Sequence, residues 1–257
     1  MTKKRARISL LAFLLFSLSF IVSSQTSEIT ETPSHLNGAI TATNNGISFI
    51  PTFSLGKPAV IFDLSIGKRL SFDPQLRFAL EGKPWSFLFW WRYKLITNDK
   101  FRLTVGAHPA LSFKTLVITT ENGTKEFINV QRYIAGELSP NYFISKNVSI
   151  GFYYLFSHCF EKDGTGYTNF LTLNANFSSI NLTKQYYLRF NPQIYYLKMD
   201  KSEGYYFSSS MTLAKRDFPI SVSALINKVI KTEISASKNF VWNASLIYTF
   251  NNNYIKK

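Results

Sequence analysis

Cysteine is nearly missing from this chain: Cys159 is alone in 257 residues, so no intramolecular disulfide can form. Histidine is almost as scarce. His35, His108 and His158 are dispersed, and the acidic residues do not cluster at ligand spacing, so neither a metal nor any other cofactor is expected. There is no glycine-rich phosphate loop and no nucleophile elbow. Helical periodicity, Pro- or Ser-rich linkers and low-complexity tracts are also lacking. Past Val22 no apolar run approaches the roughly 20 residues of a spanning helix. A membrane-embedded chain of this kind must therefore cross as a closed barrel, the other arrangement that pairs every backbone amide. Negative charge is in the minority as well, with 15 Asp and Glu against 29 Lys and Arg and a formal net charge of +14.

The first residues have a purpose of their own. Lys3, Lys4, Arg5 and Arg7 precede an apolar run from Ile8 to Val22, followed by Ser23, Ser24 and Gln25. A basic start, a short apolar run and small residues at the cut make a secretory signal. No cysteine follows that run, which argues against lipoprotein anchoring. We expect residues 1–24 to be a signal peptide and 25–35 a short polar leader. A β-barrel over 36–250 and a C-terminal extension over 251–257 complete the expected organisation. Losing four basic residues with the signal lowers the charge to about +10. A basic exported chain attracts anions, here outer-membrane lipid and lipopolysaccharide phosphates and small anionic solutes. The cations are scattered instead of blocked, which argues against a dedicated nucleic-acid patch, and no nucleic-acid partner is expected.

What is present is alternation. About a dozen rows, each near ten residues, alternate apolar with polar side chains, the period of a β-strand. Trp85, Phe87, Phe89, Trp91, Tyr93 and Leu95 form one row; Phe240, Trp242, Ala244, Leu246, Tyr248 and Phe250 form another. Turn residues mark nearly every joint, so an antiparallel up-and-down meander of about 12 strands is the simplest topology. The first strand is ambiguous: it is either Leu36–Thr43 or the row Ile47, Phe49, Pro51, Phe53, Leu55. Residues 115–127 read as a longer polar loop. Eleven residues at about 3.3 Å, tilted about 40°, span roughly 28 Å of bilayer. With both termini periplasmic, the 115–127 loop falls outside, where such barrels carry their long loops.

Alternation alone does not separate a soluble sandwich from a barrel, since the apolar face is the core of one and the lipid face of the other. Three features favour the transmembrane barrel. Aromatics recur near row ends (Trp85, Tyr93, Phe101, Phe113, Phe160, Tyr167), as interfacial girdles do. Small residues such as Gly106, Ala110, Gly151, Ser208 and Ser221 interrupt the polar rows, where a soluble exterior carries Lys and Glu. The last row also ends on an aromatic, Phe250.

Three stretches carry a resemblance to a family. They are Pro84-Trp85-Ser86-Phe87-Leu88-Phe89-Trp90-Trp91-Arg92-Tyr93, Val105-Gly106-Ala107-His108-Pro109-Ala110, and the closing strand Asn239–Phe250, with the Ser24/Gln25 cleavage context. The chain resembles small flavobacterial-type outer-membrane β-barrel proteins of Bacteroidota. That resemblance implies insertion by the outer-membrane assembly machinery. Barrels of this kind usually end on an aromatic residue, whereas Asn251–Lys257 extend past Phe250 here, so the signal is internal or Tyr254 replaces it.

Candidate sites lie on the polar face. Asp63, Asp73, Arg77, Arg92, Arg102, Glu137 and Arg189 would meet in a shielded lumen, either as an ion-pair network that stiffens the barrel or as a constriction that selects solutes. His108 and Ser112 share the inward face of one strand. At four residues, about 13 Å, they are too far apart for a nucleophile–base hydrogen bond, so no catalytic residue is assigned. Inward Trp90, Tyr153, Tyr187 and Tyr195 narrow the lumen or stack on sugars. The expected function is a non-enzymatic outer-membrane barrel, a narrow pore or a membrane-stabilising protein. A lipid-modifying enzyme and a surface-binding protein are the alternatives.

Overall fold

The computed structural model describes residues 34–120 and 123–254. The expected signal peptide lies outside the described residues. Twelve strands follow one another without a helix between them: β1 (Ser34–Thr43), β2 (Ala59–Gly67), β3 (Leu70–Ala79), β4 (Pro84–Thr97), β5 (Phe101–Thr120) and β6 (Gly123–Ser145). The second half comprises β7 (Val148–Cys159), β8 (Tyr167–Asn181), β9 (Tyr186–Met199), β10 (Ser202–Lys215), β11 (Ile220–Thr232) and β12 (Phe240–Tyr254). Each pairs antiparallel with its sequence neighbours, and β1 pairs with β12, which closes an up-and-down barrel. Closure leaves no unpaired edge.

The outward face settles what surrounds it. Ile40, Phe62, Leu64, Trp91, Ile134, Phe156, Leu173, Ile194, Met211, Val222, Trp242 and Leu246 are all exposed, and they come from strands all round the barrel. Water-soluble monomers rarely expose a contiguous apolar surface of this extent. A hydrocarbon surround accounts for it, and the protein is a transmembrane β-barrel.

Its two ends differ. Short turns join β2–β3, β4–β5, β6–β7, β8–β9 and β10–β11 at the end that carries Ser34 and Tyr254, here the turn end. The opposite, loop end carries residues 44–58, 160–166 and 233–239.

Several sequence expectations are revised. β12 runs to Tyr254, and Asn251–Tyr254 pair with Asn37–Ser34, so the barrel takes in four residues of the expected extension. The expected polar loop 115–127 is largely strand: the β5–β6 ladder continues from Lys114↔Asn129 to Thr120↔Gly123. Its β-branched Thr115, Val117, Ile118 and Thr119 favour strand geometry, which outweighs the polar composition. The first strand is the earlier candidate. The row Ile47–Leu55 belongs instead to a connection that folds into the barrel. Trp85 is also misplaced by simple alternation. It is the extra residue of a bulge in which Phe78 pairs with Pro84 and Arg77 with Ser86, and its ring faces the Arg77 guanidinium at 5.7 Å.

Candidate functional site

The lumen has three layers. At the loop end, residues 44–58 turn inward from the mouth. An isolated bridge, Ile47↔Ser54, and backbone hydrogen bonds Gly46 N–H to Lys57 O (2.9 Å) and Ser48 N–H to Phe53 O (2.8 Å) hold the segment as a compact hairpin. Ile47 and Thr52 are buried. Phe49 crosses to the opposite wall and packs edge-on against Tyr153 (5.7 Å) and Phe170 (6.0 Å), with Trp90 at 5.9 Å. Phe170 continues to Tyr195 (5.2 Å), which stacks on Tyr206 at 4.7 Å. Trp90, Phe170, Tyr195, Leu197 and Tyr206 are all buried, and Ile234 from the 233–239 loop joins them. Thus Trp90, Tyr153 and Tyr195, expected as narrowing residues, form one aromatic layer, while Tyr187 lies elsewhere, near the turn end.

Below that layer one wall is charged. Arg92 Nε donates to Glu137 Oε1 at 2.6 Å and its Nη1 to Asp73 Oδ2 at 3.2 Å, with the guanidinium 4.4 Å above the Trp90 ring. Tyr153 donates to Glu137 Oε2 at 2.6 Å. On the other side Ser65 and Ser71 donate to Asp73 at 2.6 and 3.1 Å, and Ser65 Oγ meets His35 Nε2 at 2.8 Å. The chain His35–Ser65–Asp73–Arg92–Glu137–Tyr153 thus links β1, β2, β3, β4, β6 and β7. Asp63 accepts from Gln75, and buried Arg77 sits on the same wall with its Nε unpartnered among the described residues. The facing wall is neutral: Tyr195 donates to Asn227 (2.8 Å), Ser208 to the Ile226 carbonyl (3.0 Å), and Thr212 pairs with Ser223 (2.9 Å).

The structure therefore brings Asp73, Arg92 and Glu137 together, with Asp63 and Arg77 on the same wall. Arg102 and Arg189 do not join them. Arg102 covers the Phe143 ring at 4.6 Å; Arg189 lies 5.5 Å from the Tyr187 ring and donates to its hydroxyl at 2.9 Å. Both belong to the turn end, where a polar vestibule of about 300 Å³ is lined by Arg102, Thr104, Asn141, Lys146, Ser149 and Asn176, among others. This end carries Lys68, Arg69, Lys94, Lys100, Arg102, Lys146, Lys184, Arg189, Lys215 and Arg216, against Asp99 and Asp217 in its turns. Among the described residues none of these bases is in an ion pair. The ion pairs are Lys57–Glu81, Lys83–Glu126, Arg132–Glu161 and the two of Arg92.

His108 and Ser112 both line a second cavity, at the loop end, of about 420 Å³. His108 packs on Trp90 with ring centroids 3.7 Å apart, and among the described residues its Nδ1 meets the Pro109 carbonyl at 3.2 Å. His158 stacks on Tyr167 instead (4.9 Å), away from the lumen. No group of three His, Cys, Asp or Glu among the described residues is placed to hold a metal. The inward segment and this cavity were the features missed from sequence. Their trace was present in Pro51, inside the Ile47–Leu55 row, and in Gly56 and Pro58 just past it, where the chain turns at a Gly56 φ of +73°.

A scan against family models gives no match, and a search of curated proteins gives none either. Solved structures resemble the chain at low similarity. An outer membrane channel from Pseudomonas putida F1 shares 10% identity, with 89% of this chain and 100% of that one covered and a TM-score of 0.48. The NanC porin shares 10% over 86% and 100% (TM-score 0.46), and the β domain of the Bordetella autotransporter BrkA 9% over 86% and 99% (0.45). Such values assign neither family nor function.

Proposed function

We propose that the protein resides in the outer membrane and is a narrow channel for small anions, restricted by residues 44–58. The observation that carries this reading is the excess of Lys and Arg over Asp99 and Asp217 at the turn end, none of them in an ion pair among the described residues, around the vestibule lined by Arg102 and Lys146. Charge of one sign around a low-dielectric mouth focuses the field and concentrates counter-ions. The Arg92 network is fully paired and serves to hold the wall, while Arg102 and Arg189 face the path. The turn end lies on the periplasmic side, since such barrels keep their short turns there. Lipopolysaccharide phosphates meet the loop-end cations, and the assembly machinery inserts the chain. Kinship with Bacteroidota barrels rests on the sequence features alone.

The test is single-channel recording in planar bilayers. The wild type is expected to give small steps, because the aromatic layer occludes the lumen. Phe49→Ala with Phe53→Ala, which loosens the inward segment from that layer, should raise the conductance several-fold. Absence of steps from both proteins would overturn the channel reading and leave a structural role.

A further inference from the structure

The loop-end cavity has a polarity of its own. Register orders its wall by depth. Ser86 pairs with Ser112 and Ser112 with Gln131 near the mouth; Leu88 pairs with Ala110 and Ala110 with Tyr133 below; His108 forms the floor, with the buried Trp90 packed behind it. Phe49, Ile50 and Phe53 of the inward segment close the side opposite this wall. The lining is thus mostly apolar below its entrance, through Leu88, Ala110, Ala135 and Leu155, with the His108 imidazole and the Ser157 hydroxyl as polar exceptions, and it is polar at its entrance. Lys114, at the mouth, is the one Lys, Arg, Asp or Glu in the lining, and it makes no ion pair among the described residues. Beside it the Ser86 hydroxyl is buried without a hydrogen-bond partner among the described residues. Buried polar atoms in native proteins are rarely left unpaired.

We infer that this cavity binds a medium-chain amphiphile with a single anionic head, in the class of a ten-carbon carboxylate. The head sits at the mouth, accepting from Lys114 and from the Ser86 and Ser112 hydroxyls, and the chain runs down to His108. The size fits. A volume near 420 Å³ lies within the range of small-ligand sites. From His108 to Lys114 the strand advances roughly 20 Å, or about 15 Å along a barrel axis from which it tilts by about 40°. That depth takes an extended chain of this class with its head. The site does not require the channel reading, because binding is measured without conduction.

The experiment uses the full protein in phosphatidylcholine nanodiscs. Trp91→Phe and Trp242→Phe remove the two outward tryptophans, leaving Trp85 in the cavity wall and Trp90 behind His108 at its floor. Terminally brominated decanoate should quench the remaining fluorescence saturably. The trimethylammonium analogue with the same brominated tail should do so at least about ten-fold less tightly. Lys114→Gln should weaken the carboxylate about ten-fold, the scale of one charge-assisted hydrogen bond, and leave the cationic analogue unchanged. Ala110→Phe, which fills the middle of the cavity, should abolish saturable quenching while the barrel keeps its heat-modifiable migration on gels. Should that variant fail to fold, Lys114→Gln decides the matter, since Lys114 is exposed. Equal affinity for both probes, or quenching that never saturates, would overturn the site.

Discussion

Arg92 shows how one side chain can set the cost of its neighbours. The Glu137 side chain is 1% exposed and Arg92 28%, so the carboxylate depends on its partners far more than the guanidinium does. Removing Glu137 strips Arg92 of its closer partner and the Tyr153 hydroxyl of its acceptor, although Asp73 remains. Breaking a buried pair costs about 3–5 kcal/mol, and the retained Asp73 contact and partial solvation of Arg92 bring Glu137→Ala nearer 2–3. Urea unfolding followed by tryptophan fluorescence in lipid vesicles measures this, and Glu137→Gln should cost less than half as much. Gly106 belongs to the same arrangement. A Cβ there would lie 2.7 Å from Glu137 Oε1 and 3.0 Å from the Trp91 carbonyl oxygen, so Gly106→Ala must displace the carboxylate or bend the strand. We expect a loss of about 1–3 kcal/mol, partly relieved in the Gly106→Ala, Glu137→Ala double variant because the two share a contact.

The loop between β7 and β8 is held by acid groups outside the bilayer. Glu161 accepts the Arg132 backbone N–H and its Nε–H, both at 2.6 Å, and Asp163 accepts from Asn129 Nδ2 at 2.8 Å. These bonds hold both carboxyls below the usual carboxylate range, Glu161 chiefly through the Arg132 amide and Asp163 chiefly through the Asn129 side chain. A depressed folded value means that the tie is complete above the ordinary carboxylate pKa and is lost as pH falls through the lowered one. The Arg132 amide proton resonance should therefore titrate with a midpoint below about 4.3, and Glu161→Gln should remove that transition. The strands around this loop were legible because period-two alternation is a direct image of a sheet with one face in lipid; the β5–β6 hairpin beyond Lys114 was not, since its polar composition read as a loop although the ladder runs on to Thr120↔Gly123. The inward segment was not, because Ile47, Phe49, Phe53 and Leu55 alternate as a strand does, and Pro51 restricts such a row to an edge without forbidding it. Nor were Leu88, Leu155, Phe170 and Leu197. An apolar side chain at an inward position breaks the pattern only where the lumen is filled by protein, and nothing local to the chain says that it is. Of the charged residues, sequence placed each on the polar face but could not tell Arg92, which has two carboxylates, from Arg102, which has none among the described residues. Pairing depends on register between strands far apart in sequence.

At the scale of the whole barrel, charge is divided by end. The loop end mixes signs, with Lys57–Glu81, Lys83–Glu126 and Arg132–Glu161 neutralising one another, whereas the turn end holds its cations against Asp99 and Asp217. Such a collar acts over a Debye length, about 8 Å at physiological ionic strength and about 30 Å at 0.01 M. Its influence on a permeating ion must then grow as salt is diluted, whereas selectivity set by size alone would not change. With Phe49→Ala and Phe53→Ala opening the lumen, the reversal potential across a ten-fold chloride gradient should report anion preference, stronger at low salt. Arg102→Glu with Lys146→Glu, which turns two vestibule cations into anions without touching the Arg92 network, should bring that potential through zero to cation preference. A reversal potential indifferent to both dilution and these substitutions would place the selective step elsewhere in the barrel and remove the collar from the path.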